Sequence, residues 1–291
     1  MKLAVSLLST YLYCPRKVFL QKAFKLREPL RQPLIFGTIR HQALEEATFI
    51  EKEIVTSIGK GADEHEVQKR YVDEYASILK EVVLKHAASL DSLGISGSDA
   101  YEHSFSSLVR EAQSRAMNAF SFFEKTRLIG EELWERLTPK IHSEVRIESE
   151  ELQLVGIVDQ VHDYGDYAIP VELKTGKMPK EGVWPGHRIQ AGAYALMLEE
   201  MQGKPVGQAV VYYLDGNEKR NIVMNPFMRE EIAGLVEEIQ ELLSNTLLPE
   251  YCCSMQKCAA CGLRKECYNQ TLMQSLLTSV RVPTQRQLLS G

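Results

Sequence analysis

No apolar run in these 291 residues approaches the roughly 20 needed to cross a bilayer. The opening Lys2 and residues 3–8, with Cys14 beyond, are too short an apolar stretch for a secretory signal. Bulky Tyr13 also stands where a processed cysteine needs a small neighbour. A cytoplasmic protein with no membrane association is therefore expected. Positive charge is not in excess either. The formal net charge is −5, so bulk electrostatics do not announce a nucleic-acid binder. Internal repeats and low-complexity linkers are absent, and the 44% hydrophobic, 25% charged composition is that of a globular chain able to bury a sizeable core.

The charge that is present is unevenly spread. Lys2, Arg16, Lys17, Lys22, Lys25, Arg27 and Arg31 face only Glu28 in the first 31 residues, while acidic residues crowd 45–81 and 230–241. Such a basic segment suits either a phosphate backbone or a solvated helix face.

Hydrophobic spacing divides the chain. Residues 7–21 read as a helix, with a restart at Pro15 equally compatible. Ile39, Ala43, Leu44 and Ala47 mark a second helix after Gly37. Residues 48–138 are polar and helical in period (Leu79, Val82, Val83 and His86; Leu108, Ala112, Ala116, Ala119 and Phe123) and carry no catalytic pattern, as a helical insertion or lid would. Apolar, β-branched runs at 141–147, 152–162 and 167–173 predict an antiparallel meander. A helix at 188–201, strands at 207–214 and 221–224, and an amphipathic helix at 228–243 complete a mixed α/β or α+β domain.

Three residues carry the chemistry. Asp159 ends one strand in Gly156-Ile-Val-Asp159, and Glu172 and Lys174 end the next. Residues two apart on a strand face one side, so Glu172 and Lys174 project together, and pairing through the 164–166 turn would bring Asp159 to them. Two carboxylates bind Mg²⁺ or Mn²⁺, which polarises a phosphoryl group and activates water, while a lysine orients that water or stabilises developing charge. The Leu173 carbonyl offers a further oxygen ligand. Taken alone, Glu172-x-Lys174 is weak, because acid-x-lysine pairs on strand faces are usually solvated cross-strand pairs. Glu144, on the preceding strand, reads as an acid supporting the metal ligands or as an exposed strand residue, with the exposed reading favoured.

The surrounding residues resemble the RecB-like branch of the PD-(D/E)xK nucleases. Gly37-Thr-Ile-Arg-His41, Gly156-x-x-Asp159, Glu172-x-Lys174 and Gln190-Ala-Gly-Ala-Tyr194 match that branch's landmarks in order. The resemblance implies a restriction-endonuclease-like core sheet flanked by helices. It also implies His41 as a metal ligand, an imidazole that would tilt preference toward Mn²⁺. Gln190 and Tyr194, four apart on one helix face, would reach the phosphate or the site lysine.

Cys258-x2-Cys261-x5-Cys267 lets three thiolates converge, with Cys14 as the candidate fourth; four thiolates suit zinc or an iron–sulfur cluster, and spacing does not choose. One cysteine upstream and three downstream of the nuclease motifs resembles the iron–sulfur members of the superfamily, above all the CRISPR-associated Cas-four family, which the Cys14-Pro-Arg-Lys17 segment favours. That resemblance implies a [4Fe–4S] cluster on Cys14, Cys258, Cys261 and Cys267. Cys252 and Cys253 read as small apolar neighbours or competing ligands. It further implies a single nuclease domain acting as a metal-dependent DNA exonuclease on single strands or overhangs, trimming prespacers beside the CRISPR integrase proteins. An exonuclease V-like or helicase-associated repair nuclease and a non-catalytic DNA-binding scaffold are the alternatives. Arg16, Lys17, Lys177 and Arg188 are the expected phosphate contacts, with Lys180 beside them, and Trp184 or Tyr194 the expected base-stacking aromatic.

Overall fold

The computed structural model describes residues 2–245 and 247–281. The chain opens with β1 (Leu3–Ala4), α1 (Val5–Tyr13) and α2 (Pro15–Lys22). The predicted N-terminal helix is thus two, and the reason is local. Cys14 is extended (φ −167°, ψ 112°) because a residue before proline is pushed out of the helical region, and Pro15 then opens α2. The break leaves Cys14 at a joint between helices.

Next come α3 (Gln32–Thr56), α4 (Glu64–Lys85), α5 (Ala87–Ser92), α6 (Gly97–Thr126) and α7 (Gly130–Arg136). Asp63 and Ser96 cap α4 and α6, accepting from the Glu66 and Asp99 amides. The segment from 48 to 138 is helical as expected, but it is no lid. Leu79, Val82, Leu108 and Ala112 form one core with Val171, Leu173 and Tyr212 of the sheet, so these helices wall one sheet face. Its first part is continuous with α3, the helix that carries His41.

The sheet strands are β2 (Lys140–Ser149), β3 (Leu154–Asp163), β4 (Ala168–Lys174), β5 (Gln208–Tyr213) and β6 (Glu218–Val223), joined by α8 (Pro185–Gln202) between β4 and β5. The β2–β3–β4 meander is antiparallel, as the sequence predicts, and the α8 crossover then makes β5 parallel to β4. Helices α1, α8 and α9 (Pro226–Ser244) cover the second face through Leu8, Val158, Val211 and Ile232. The chain continues as α10 (Met255–Ala260), α11 (Arg264–Cys267) and α12 (Gln270–Arg281), and Leu263 and Met273 of this segment pack with Phe19 of α2.

Strand β3 sets the position of the site. One edge pairs with β2 along its whole length; the other pairs with β1 at Leu154–Val155 and with β4 from Gln160 to Asp163. Residues 156–159 lie in the gap between those two partners.

Candidate active site and cysteine centre

Asp159 sits at the end of that gap. Val158 and Val161, three apart, both join the core beneath α8, so strand alternation slips by one residue at Asp159–Gln160. The slip lets Asp159 reach across to β4, where the Leu173 amide donates to Asp159 Oδ2 at 2.7 Å. His41 of α3 places Nδ1 3.4 Å from Asp159 Oδ1. Burial lowers the His41 pKa, but the hydrogen bond to Asp159 and the charges of Asp159 and Glu172 raise it by more.

Glu172 and Lys174 project to one side, as strand geometry requires, and Lys174 Nζ lies 2.6 Å from Glu172 Oε1. Lys174 also donates to Gln190 Oε1 at 3.0 Å, so the α8 residue expected to reach the lysine does so. Glu172 is buried, and burial holds its carboxyl up at about 7 despite the opposing pull of Lys174. Tyr194 is driven upward by burial and by the Glu172 charge. Its ring also explains the glycine of the Gly156-x-x-Asp159 motif: a methyl at residue 156 would lie 2.6 Å from Tyr194 Cε1. Tyr194 is buried against this core, so it cannot stack on a base.

Two further residues shape the site, Arg40 unmarked by sequence reasoning and Glu144 considered there but set aside. Arg40, buried beside His41, is ion-paired to Asp215 in the β5–β6 turn, whose Oδ2 accepts the Gly176 amide at 2.7 Å. One carboxylate thus joins α3, the end of the Glu172–Lys174 segment and β5–β6. Glu144 is the second. Read from sequence as an exposed strand residue, it lies between the Ser143–Gln160 and Val145–Val158 rungs, opposite Asp159. One ligand atom from each of His41, Glu144 and Asp159 lies within 4.8 Å of the others. Glu172 does not belong to that set. One imidazole and two carboxylates suit Mn²⁺ or Mg²⁺, and the second Glu172 oxygen is buried without a hydrogen-bond partner, as a carboxylate awaiting a cation would be.

Cys14, Cys252, Cys258, Cys261 and Cys267 line one small cavity with Tyr13 and Arg16. All are free thiols. Protein contacts dock the tail on the N-terminal segment: Tyr13 donates to the Lys257 carbonyl, Lys257 to the Leu12 carbonyl at 3.2 Å, and Arg31 to the Ala260 carbonyl at 3.0 Å. Burial and the encircling sulfurs push the Tyr13 phenol up to about 12. Cys252 shares the cavity, whereas Cys253 is exposed and does not line it.

The basic residues fare differently from expectation. Arg16 is 5% exposed, donates to Cys267 Sγ at 3.2 Å and to the Pro249 carbonyl at 2.6 Å, and lies over the Tyr251 ring. It therefore serves the thiols and is not presented to phosphate. Lys17 is paired with Glu28 at 2.5 Å, and Arg188 with Glu231. Lys177 is exposed and has no ion-pair partner among the described residues. Trp184, 43% exposed, is fixed by its indole N–H on the Lys177 carbonyl at 3.0 Å.

Among curated proteins, the chain is similar to CRISPR-associated exonuclease Cas4 of Aeropyrum pernix (30% identical over 42% of this chain and 63% of that one). It is similar to the protein of the same name from Thermoproteus tenax (29% identical over 39% of this chain and 59% of that one). A third relative, a CRISPR-associated exonuclease Cas4/endonuclease Cas1 fusion of Myxococcus xanthus, is 32% identical over 43% of this chain and 23% of the fusion. In each case the match spans less than two thirds of the relative's own length. The family profile described as the PD-(D/E)XK nuclease superfamily matches residues 2–268, which take in the carboxylate–lysine set and every cysteine. On that match, the chain belongs to the PD-(D/E)XK nuclease superfamily.

Proposed function

We propose that this protein is a divalent-metal-dependent DNA exonuclease that processes single-stranded ends or overhangs during CRISPR adaptation, beside the integrase that inserts the trimmed fragment. The observation that carries the chemistry is Glu172: a buried carboxylate with one oxygen on Lys174 and the other without a partner, next to Asp159 and His41. A bound Mn²⁺ or Mg²⁺ supplies charge for the phosphoryl oxygens and an acidified water. His41, Asp159, Glu172 and the Leu173 carbonyl are the proposed ligands.

The chain's own groups do the rest. Lys174 is held between Glu172 and Gln190, so its ammonium is aimed before substrate arrives and can steady the attacking water or the charge growing on phosphate. Gln190 fixes the lysine, and Tyr194 backs the carboxylates from the core. Trp184 offers a base-stacking surface beside Lys177. The context rests on the relatives: the Myxococcus protein combines the exonuclease with an endonuclease named Cas1 in one polypeptide, which supports an integrase partner for the present chain.

Cys14, Cys258, Cys261 and Cys267 line one cavity, which supports a four-thiolate centre there, proposed as a [4Fe–4S] cluster. Iron analysis and the visible spectrum of anaerobically purified protein test this; colourless protein with stoichiometric zinc would overturn it.

For the nuclease, Mn²⁺-dependent digestion of single-stranded and overhang DNA is the assay. Lys174→Ala is expected to lower the rate by about 10²–10³-fold, the usual effect of deleting one preorganised charge donor. Undiminished cleavage in that variant would remove the site assignment.

A further inference from the structure

The cavity that gathers the cysteines has a cationic lining. Arg16, Lys17, Lys257 and Arg264 contribute to it, and no aspartate or glutamate does. Lys17 is neutralised by Glu28, and Lys257 is held on the Leu12 carbonyl beside the Tyr13 ring. Arg16 is placed differently. It is buried, and among the described residues no carboxylate pairs with it. Its partners are Cys267 Sγ at 3.2 Å, the Pro249 carbonyl at 2.6 Å and the Tyr251 ring, whose centroid is 4.0 Å away. A buried guanidinium without a counter-ion is costly, so the cysteine centre is the anion left to balance it. The Tyr251 ring extends this set. It stacks on Tyr268 with centroids 4.8 Å apart, and the Tyr268 hydroxyl donates to Cys258 Sγ at 3.8 Å.

We propose that Arg16 is a tuning residue of the cysteine centre, its guanidinium on Cys267 raising the reduction potential of the cluster by stabilising the electron-rich state. This inference rests on the [4Fe–4S] reading of the thiols. A [4Fe–4S] core on four thiolates is anionic, and taking up one electron adds a further negative charge. Hydrogen bonds to the ligand sulfurs and a fixed cation beside them strengthen as that charge grows, so they favour the reduced form. The planar guanidinium suits this role. Its Nε–H faces Cys267 while Nη1 is anchored on the Pro249 carbonyl, which holds the positive charge at the sulfur in both oxidation states.

The test is an anaerobic titration of the full chain with dithionite and redox mediators, read by visible absorption and by electron paramagnetic resonance of the reduced cluster. One electron from dithionite converts [4Fe–4S]²⁺ to [4Fe–4S]⁺, with no bond made or broken in the protein. Arg16→Gln is expected to shift the oxidised–reduced equilibrium by at least about 10-fold, a potential about 59 mV more negative for a one-electron couple. Arg16→Lys, which keeps the charge but loses the planar fork, should fall between the two. Tyr268→Phe should shift the potential in the same direction by less. Iron per chain is counted for each variant and the potential is read on the cluster-bearing fraction, which separates tuning from assembly. A potential unchanged or more positive in Arg16→Gln overturns the proposal. Complete loss of the cluster in that variant also overturns it, since the guanidinium would then be an assembly contact. An unmodified chain that carries zinc in place of iron overturns the cluster reading instead.

Discussion

Around Asp159 the side chains already answer one another across β3, β4, α3 and α8, whereas around Cys14 five thiols face a common cavity without a disulfide among them. The first centre is fixed by hydrogen bonds within a sheet and its flanking helices. The second gathers Cys14 and residues 252–267, joined by Arg16 on Cys267, Tyr268 on Cys258 and docking of the tail on the N-terminal segment. A centre that the sheet has shaped can lose its ion and keep its geometry. One assembled by closing a loop of some 240 residues depends on what is bound to hold the loop shut, because the open chain regains its closure entropy.

Cys14→Ser puts most strain on that difference. It is expected to bleach the visible absorption and lower the melting midpoint by roughly 6–12 °C, taking about 3 kcal/mol for the lost closure. Mn²⁺ binding at Asp159 should survive. Parallel loss of manganese binding would mean that the two centres are one cooperative unit, and the comparison would fail.

The next largest effect is expected from pH. The folded pKa of Glu172 is raised to about 7 from an ordinary 4.5. The stability that its protonation contributes is therefore complete below about 4.5 and is lost as pH climbs through 7. Metal-free protein should unfold at lower urea as pH rises across this window, and Glu172→Gln should flatten that trend. An unchanged slope in the variant would show that the buried carboxylate is already compensated within the protein. A smaller, purely steric effect is expected at Gly156. Alanine there drives a methyl into Tyr194 and to 3.1 Å from Val5 Cγ2. Overpacking of this kind costs about 1–3 kcal/mol, readable by denaturant titration, with the cysteine centre untouched.

Much of the architecture was legible because period and punctuation agree. The three-stranded meander, the α8 helix and the C-terminal amphipathic helix each lie within a few residues of the spans expected from apolar spacing. Asp159, Glu172, Lys174, Gln190 and Tyr194 were legible because strand alternation and i, i+4 helical spacing are local rules, and the structure brings all five together. What escaped depended on distant partners. Glu144 looks like any solvated strand glutamate until the alternation slip on β3 turns it toward Asp159, and nothing in β2 itself signals that slip. Arg16 reads as a phosphate contact because it neighbours Lys17, but its real partners are Cys267 and Pro249, more than 230 residues away. Likewise Glu51 and Arg115, buried together between α3 and α6, give no sign in the sequence of pairing.

The Asp215 clamp has a thermodynamic consequence. By tying Arg40 on α3 to the Gly176 amide, it immobilises the segment after Lys174 that would otherwise be a loose loop beside the cation site. The ordering entropy of that loop is thus charged to folding of the chain and not to the arrival of ion or substrate. Affinity at the site then reflects direct ligand bonds, with little subtracted for organising the protein around them.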